Sequence, residues 1–572
     1  MLLAAPAAAA REAPEVTLAW LPGGVGVAEL AGAGLSPGLM SAGLGEVPAV
    51  QTYLDVGQGN RVFDSLYDRE LPPLRADRTA WWREVVERAE SAPAEIEPGL
   101  LERTLREAGA SRLRVERITL ADVARQVEAL PPGGMLIAIA SPTGESDAPL
   151  PIGVAGAGFD GNLTSDSTRT DGYVLATDVA PTALDHLGVE VPGEMSGQAI
   201  RSEGSVDVAA IAALEERMGV ISHRRGPVIG FSLLAWLAAL GLAATVSRGA
   251  LARPAVRLVG LTVVYMPLLL LAGAALEPRE TVEVLLVMLG APLLAALTLA
   301  LLPGYRAPAA AAALTVCAYA LDLVLGSPLT SLSLLGPNPG LGVRFYGIGN
   351  ELEALLAVLA IAGAGAALAG FLPGLDRRRA AAAFVVLGLL AAFVFAAGRF
   401  GADVGAAIVF PVGAAVAAVA IAGRGRRWGL LAALAAPFAV LALLALIDLL
   451  SGANAHLTRS VLDAGGLGEL SDVAQRRLQL SARSFGRPVL LAFLPVVAIL
   501  AALAVWKRDR LRAWVADVPA VRAGLLGALA ATAIGTLAND SGALLLEIGT
   551  AYLLVFTGYA WAESDRADKK LQ

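Results

Sequence analysis

From residue 227 to about residue 561, apolar stretches of about 17–23 residues follow one another, separated by polar connectors. At 1.5 Å per residue, each can cross a hydrocarbon core about 30 Å thick. Spans are expected near 227–246, 256–275, 282–302, 307–326, 350–371, 380–397, 403–422, 428–449, 488–506, 519–537 and 543–561, about eleven in all. Such a series reads as an all-α polytopic membrane domain. Composition agrees: 56% of the 572 residues are hydrophobic and 17% are charged, with a mean hydropathy of +0.64. Soluble proteins carry about 25% charged residues. Ala, Leu and Gly dominate, and small residues let membrane helices approach closely. An ordinary cytosolic enzyme and a disordered chain are both excluded. The net charge of −7 gives no argument for nucleic-acid binding. Cys317 is the single cysteine, so no intramolecular disulfide can form, and three histidines leave little scope for metal chemistry.

Orientation is read from the basic connectors. Arg248, Arg253 and Arg257 lie between the first two spans, and Arg306 follows the third. The runs at 376–379, 424–427 and 507–512 follow the fifth, seventh and ninth. These alternate connectors share one side, expected to be cytoplasmic, and the tail 562–572 falls there too. Everything before residue 227 then lies outside the cell membrane. Residues 1–15 (MLLAAPAAAAREAPE) fit a signal-peptide remnant, an apolar stretch followed by small residues near Ala10; an Ala-rich tail is the alternative.

Residues 16–222 have soluble composition. The apolar runs 16–21, 135–140 and near 153–159, bounded by Gly and Pro, predict buried strands. Segments 79–90 and 120–130 have helical spacing. The alternation predicts an α/β domain with a largely parallel sheet.

The opposite connectors hold the unusual polar residues. They are 335–353 (LGPNPGLGVRFYGIGNELE), 398–405 (GRFGADVG), the long loop 451–487 and 538–542 (ANDSG). Charged groups at a span edge persist most readily when they face one another or a water-filled cavity. Arg344, Glu351, Glu353, Arg399, Asp403, His456, Arg459, Asn539 and Asp540 are therefore candidates to converge at one outer face. Arg344, Arg399 and Arg459 suit bidentate phosphate binding, with Asn350 and Asn539 beside them. Asp403, Glu351 and Asp540 suit base catalysis, or ligation of a divalent cation, the one cofactor considered. His456 suits proton transfer. Each residue has the alternative role of a helix-end anchor. Arg476, Arg477, Arg483 and Arg487 with LQLSARSF read as an amphipathic surface helix meeting lipid head groups. Asp322, near the end of the fourth span, is a further candidate.

Residues 151–200 resemble the carboxy-terminal part of alkaline-phosphatase-superfamily domains. The resemblance is carried by Asp178, Pro181 and Thr182 (D-x-x-P-T) and by Leu187, Gly188, Pro192 and Gly197. It implies an α/β/α domain over residues 16–222, with 18–24 as the first strand, 141–146 following a strand that carries metal ligands in the family, and 53–61 as the nucleophile segment. The departures point to a degenerate domain without phosphatase activity. Residues 21–24 read Leu-Pro-Gly-Gly, without the metal-ligand Asp; Asp55 and Gln58 stand where a hydroxyl nucleophile is expected; and the domain offers only His186 and, where it adjoins the membrane, His223. Asp160, Asp166, Asp171 and Asp178 could hold one hard cation. Such a domain joined to spans bearing RFYGIGNE and NDSG is also similar to an uncharacterised group of bacterial multi-pass membrane proteins.

The expectation is a multi-pass protein of the bacterial cell envelope, embedded in the lipid bilayer, that acts on a lipid-linked phosphate or glycan at the outer leaflet. As an enzyme it would be a transferase or hydrolase. The alternatives are a transporter or flippase, which requires polar residues at mid-span, and a non-catalytic scaffold that binds an envelope protein.

Overall fold

The structure, a computed structural model, describes residues 14–43, 48–61, 78–90, 96–110, 112–143, 148–246, 250–342, 344–423, 426–451, 478, 481–486 and 493–570. The chain divides into two compact units. One comprises Met1–Val220 with Asn338–Phe345, the other Ile221–Pro337 with Tyr346–Gln572.

The first unit is α/β. Its elements are β1 (Glu15–Leu21), α1 (Val27–Gly32), β2 (Ser36–Ser41), α2 (Ala49–Gln58), α3 (Arg78–Glu90), α4 (Leu100–Glu107), β3 (Leu113–Arg117), α5 (Leu120–Glu128), β4 (Gly134–Ala140), β5 (Leu150–Gly156), β6 (Asn162–Thr164), β7 (Tyr173–Leu175), α6 (Val179–Leu187) and β8 (Arg201–Glu203). The main sheet has the order β3-β1-β4-β5-β2-β7. The continuous apolar runs of β1 and β4 pair in parallel, Leu18 opposite Ile137, and side chains from both faces of these strands are buried, as expected for strands covered on both sides. Five of its six strands run in the same direction, so the sheet is largely parallel as the alternation predicts, and β5 alone runs antiparallel to its neighbours β4 and β2. The cause is local: β4 and β5 are joined by the short segment 141–149, whereas a parallel return needs a crossover of about a dozen residues or more. Helix α5 starts on a reciprocal cap. The Thr119 N–H donates to Asp122 at 3.0 Å and the Asp122 N–H donates to the Thr119 hydroxyl at 3.4 Å.

The second unit is helical. Helix α7 (Val208–Val246) contains the unit boundary at Val220 and continues through Pro227, so the first span belongs to a helix that begins well before 227. There follow α8 (Ala252–Leu276), α9 (Glu280–Leu301), α10 (Arg306–Val324), the short α11 (Pro328–Leu332), α12 (Asn350–Phe371), α13 (Arg377–Ala396), α14 (Ala406–Ile421), α15 (Arg426–Ser451), α16 (Leu494–Trp506), α17 (Arg508–Trp514), α18 (Pro519–Ala538) and α19 (Gly542–Lys570). Among the described residues, eight helices are long and apolar enough to cross a membrane: α7, α8, α9, α10, α12, α13, α18 and α19. The apolar helices α14 and α16 are shorter, and in α15 the apolar stretch among the described residues is 434–443. Ala406–Ile421, with 16 residues, rises about 24 Å, less than a full hydrocarbon core.

Apolar residues on the outside mark a bilayer environment. Along α9, Leu285, Leu289, Leu293, Leu297 and Leu301 recur every fourth residue and are all exposed, a stripe that a water-soluble surface would not carry. Inside, α12 is enclosed: every residue from Leu352 to Gly363 is buried. Glycines permit this. A Cβ on Gly365 would lie 2.6 Å from the Ala520 carbonyl and 3.1 Å from the Gly524 Cα. One on Gly413 would lie 2.9 Å from the Gly527 carbonyl. Backbones of α12, α14 and α18 therefore pack directly, as small residues allow in membrane bundles.

Candidate functional site

Six of the candidate residues, Asn350, Glu351, Glu353, Asp403, Asn539 and Asp540, lie at the end of the bundle where α12, α14 and α19 begin and α18 ends. The α12 N-terminus presents Asn350, Glu351 and Glu353 in its first turn, where carboxylates interact favourably with the helix dipole. Glu353 is fully buried. Asn539, the C-terminal cap of α18, is also buried, and its amide donates to Glu353 Oε2 at 2.6 Å. The next residue, Asp540, is exposed and accepts from the Asn350 amide at 2.9 Å. Two adjacent residues of one connector thus hold two residues of α12, one pair buried and one at the surface.

The α13–α14 connector closes on the same pair. A Cβ on Gly405 would lie 2.5 Å from Glu353 Oε2 and 2.7 Å from the Asn539 amide nitrogen, so backbone fills the space where a side chain would collide. Asp403 is buried, and its Oδ1 accepts from the N–H groups of Gly405 at 2.8 Å and Ala406 at 3.3 Å, capping α14. The two glycine-bearing turns are joined directly, Ile348 N–H to the Gly401 carbonyl at 3.0 Å. Gly347, with φ of +80°, lies so close that any side chain would strike the Gly401 carbonyl.

Two arginines that the sequence reading did not single out complete this end. Arg224 donates to Glu283 at 3.1 Å and to the Pro278 carbonyl at 2.7 Å, and Glu283 is fully buried. Arg225 donates to the Gly336 carbonyl at 2.8 Å and lies 3.7 Å from Glu351. The available signal was their position: a twin arginine at the end opposite the basic connectors needs partners there. At the other end of the bundle, Arg257 pairs with Glu563 at 3.1 Å, Tyr559 donates to the Gly304 carbonyl at 3.0 Å, and Arg306 donates to the Gly370 carbonyl at 2.8 Å. Those contacts bring the basic connectors after the first, third and fifth expected spans to one end.

The remaining candidates are placed differently. Arg399 lies over the rings of Phe393 and Phe400, at 5.6 and 5.5 Å. Arg344 belongs to the first unit. His456 and Arg459 lie outside the described residues, as do Arg476, Arg477 and Arg487. Asp322 caps α11, accepting from Leu329 and Thr330 N–H at 3.1 and 2.7 Å. Residues 481–484 are helical and two-faced: Ser481 donates to the Thr536 carbonyl at 2.7 Å and Ser484 accepts from Ala543 N–H at 3.1 Å, while Arg483 is exposed. They flank the Asn539–Asp540 connector from outside. No group of three or more His, Cys, Asp or Glu side chains poised to hold a metal ion occurs among the described residues.

In the first unit, the residues that carry the family resemblance act as fasteners. The Asp178 carboxylate is buried and accepts from the Ser165 and Ser167 hydroxyls at 2.6 Å and from Leu175 and Gln198 N–H at 2.9 Å. Thr182 donates to the Asp178 carbonyl at 2.6 Å and accepts from Ile200 N–H at 2.7 Å. The candidate cation ligands do not pool: Asp166 pairs with Arg201 at 2.8 Å and Asp171 accepts from Asn162 at 3.2 Å. His186 bonds the Gly133 carbonyl at 2.8 Å, a helix-surface use. Segment 338–345 is built into this unit. Tyr173 donates to the Pro339 carbonyl at 3.1 Å, and the Arg61 guanidinium lies 5.3 Å from the centre of the Phe345 ring. Burial pushes the Tyr173 phenol up to about 12, which keeps it a donor. A cleft of about 440 Å³ opens where β1 and β4 end, lined by Gly24, Val27, Thr52, Ser141, Thr143 and Glu215.

Compared with protein-family models, curated proteins and solved structures, the chain matches none.

Proposed function

We propose that this multi-pass membrane protein belongs to the bacterial cell envelope and acts as a transferase or hydrolase on a lipid-linked phosphate or glycan at the outer leaflet. In this reading the basic connectors are cytoplasmic, the first unit is extracytoplasmic, and that unit is an alkaline-phosphatase-like domain that no longer hydrolyses phosphate esters. The observation that carries the reading is the double junction Asn539–Glu353 and Asn350–Asp540 beside the capped Asp403, which draws three connectors to one end of the bundle. A buried tier (Glu353, Asn539, Asp403) fixes the geometry. A surface tier (Asn350, Glu351, Asp540, Arg225) meets the head group. Arg225, rather than Arg399, is the cation this tier offers a phosphate. Asp540 takes the proton of an attacking hydroxyl in this reading. His456 and Arg459 remain proposed members of the site.

The test is turnover of a sugar carried on a long-chain polyprenyl phosphate by the purified full chain. Asp540→Asn should lower the rate by about 10²–10⁴, the usual contribution of a general base, and Arg225→Ala should chiefly raise KM. Full turnover in both variants, or none in the parent protein, would overturn the reading. A carboxylate inside a span favours a second reading, movement of an ion or lipid across the bundle; Glu547 is that residue.

A further inference from the structure

Glu547 is the sixth residue of α19, about 8 Å along the helix axis from its start. It is the only charged residue between Asp540 and Glu563. It is half-buried, and its Oε1 is sealed from solvent with no hydrogen-bond partner among the described residues. No ion pair reaches it among those residues.

The helices packed on α19 are α8, α12, α16, α17 and α18, and their charged groups are engaged or distant. On α8, Arg253 lies over Trp561 and Arg257 pairs with Glu563, both at the opposite end of α19. On α12, Glu351 faces Arg225 and Glu353 holds Asn539. Helix α16 carries no charged residue. Helix α17 bears Arg508, Asp509, Arg510 and Arg512, and Trp514 at its end meets Trp561. On α18, Arg522 lies in the first turn, far from Asn539. Tyr552, one turn further along α19, donates to the Val263 carbonyl. Around the start of α19 stand Glu353, Asp540 and, on the segment 481–486 that bonds Ala543 N–H through Ser484, Arg483, which is exposed and forms no ion pair with Glu547.

A carboxylate in hydrocarbon without a cation is costly, and intramembrane acids of this kind persist where they bind ions or relay protons. We propose that Glu547 is a proton-binding site of the membrane bundle, taking up and releasing a proton inside α19 rather than serving as half of an ion pair. The inference is independent of the lipid-phosphate reading.

A hydrophobic carbodiimide tests it on the full chain in detergent, because that reagent adds to protonated carboxyl groups that lie in apolar surroundings. Peptide mapping after reaction at pH 7 should find at least about tenfold more adduct at Glu547 than at Asp540, which is exposed to water rather than set among apolar side chains. The Glu547 adduct should fall as pH rises further. Equal labelling of the two residues, or no adduct at Glu547, would overturn the proposal. Sodium ions protecting Glu547 at fixed pH would overturn it in favour of a metal-cation site. Glu547→Gln should fold and lose the adduct; the wild-type map alone decides the matter if that variant does not fold.

Discussion

Asn539 and Glu353 stand 186 residues apart in the chain, yet the amide of one donates to the carboxylate of the other across 2.6 Å inside the bundle. Both residues are buried, and the backbone of Gly405 packs against the pair. A buried carboxylate that loses a donor carries its full desolvation penalty. Asn539→Ala should therefore lower the stability of the detergent-solubilised protein by about 2–3 kcal/mol, seen as a lower melting temperature. Asn539→Asp should be worse, since it sets two carboxylates against each other. Glu353→Gln combined with Asn539→Ala should recover part of the loss, a non-additivity expected of direct partners. Additive losses would show that the pair does not act as a unit.

Asp178 gives a prediction with a pH axis. Burial pushes its carboxyl above the ordinary value, while the Ser165 and Ser167 hydroxyls and the Gln198 and Leu175 N–H groups pull it back. The folded state then keeps a proton that the unfolded chain releases. Stability from this residue is fully present below an unfolded pKa of about 4 and declines as pH rises through the raised folded value. Melting temperature measured from pH 4 upwards should show that decline, and Asp178→Asn should flatten it. Asp178→Ala should cost about 3 kcal/mol or more, because it strands several buried donors at once. An unchanged slope in the Asn variant would place the titration elsewhere.

At the crossing of α12 and α18, Gly365→Ala should reduce thermal stability by about 1–3 kcal/mol, since the new methyl group meets the Ala520 backbone rather than a movable side chain. Gly374→Ala is the control: a Cβ there meets nothing within 4 Å, and no comparable loss is expected. Equal effects at the two positions would show that helix contact is not the cause.

Much of this was legible in the residues. A run such as 135–140 or 350–371 declares a buried strand or a span by apolar length alone, and both lie where that pattern puts them. That Asn539, Asp540 and the acidic residues of α12 could share one end was legible from asking where charges at a span edge find partners; which side chains pair was not. Other features depend on tertiary contacts that periodicity does not encode. Pro227 and the polar residues before it read as a boundary, yet α7 continues through them, with Arg224 and Arg225 satisfied by Glu283, Glu351 and backbone carbonyls. Arg399 read as a phosphate ligand or a helix-end anchor, and its packing over Phe393 and Phe400 was not legible in the sequence. The direction of β5 turned on the length of one connector. Among the described residues, eight helices are long and apolar enough to span, while α14 and α16 are shorter, because an apolar run does not say how many of its residues will be helical.

Segment 338–345 has a practical consequence for anyone who cuts this protein in two. It lies more than a hundred residues beyond Val220 in the chain, yet it supplies the carbonyl that receives the Tyr173 hydroxyl and the ring beneath Arg61. A fragment ending at residue 220 would lack part of its own interior. Soluble work on the first unit would need those eight residues grafted on or added back as a peptide.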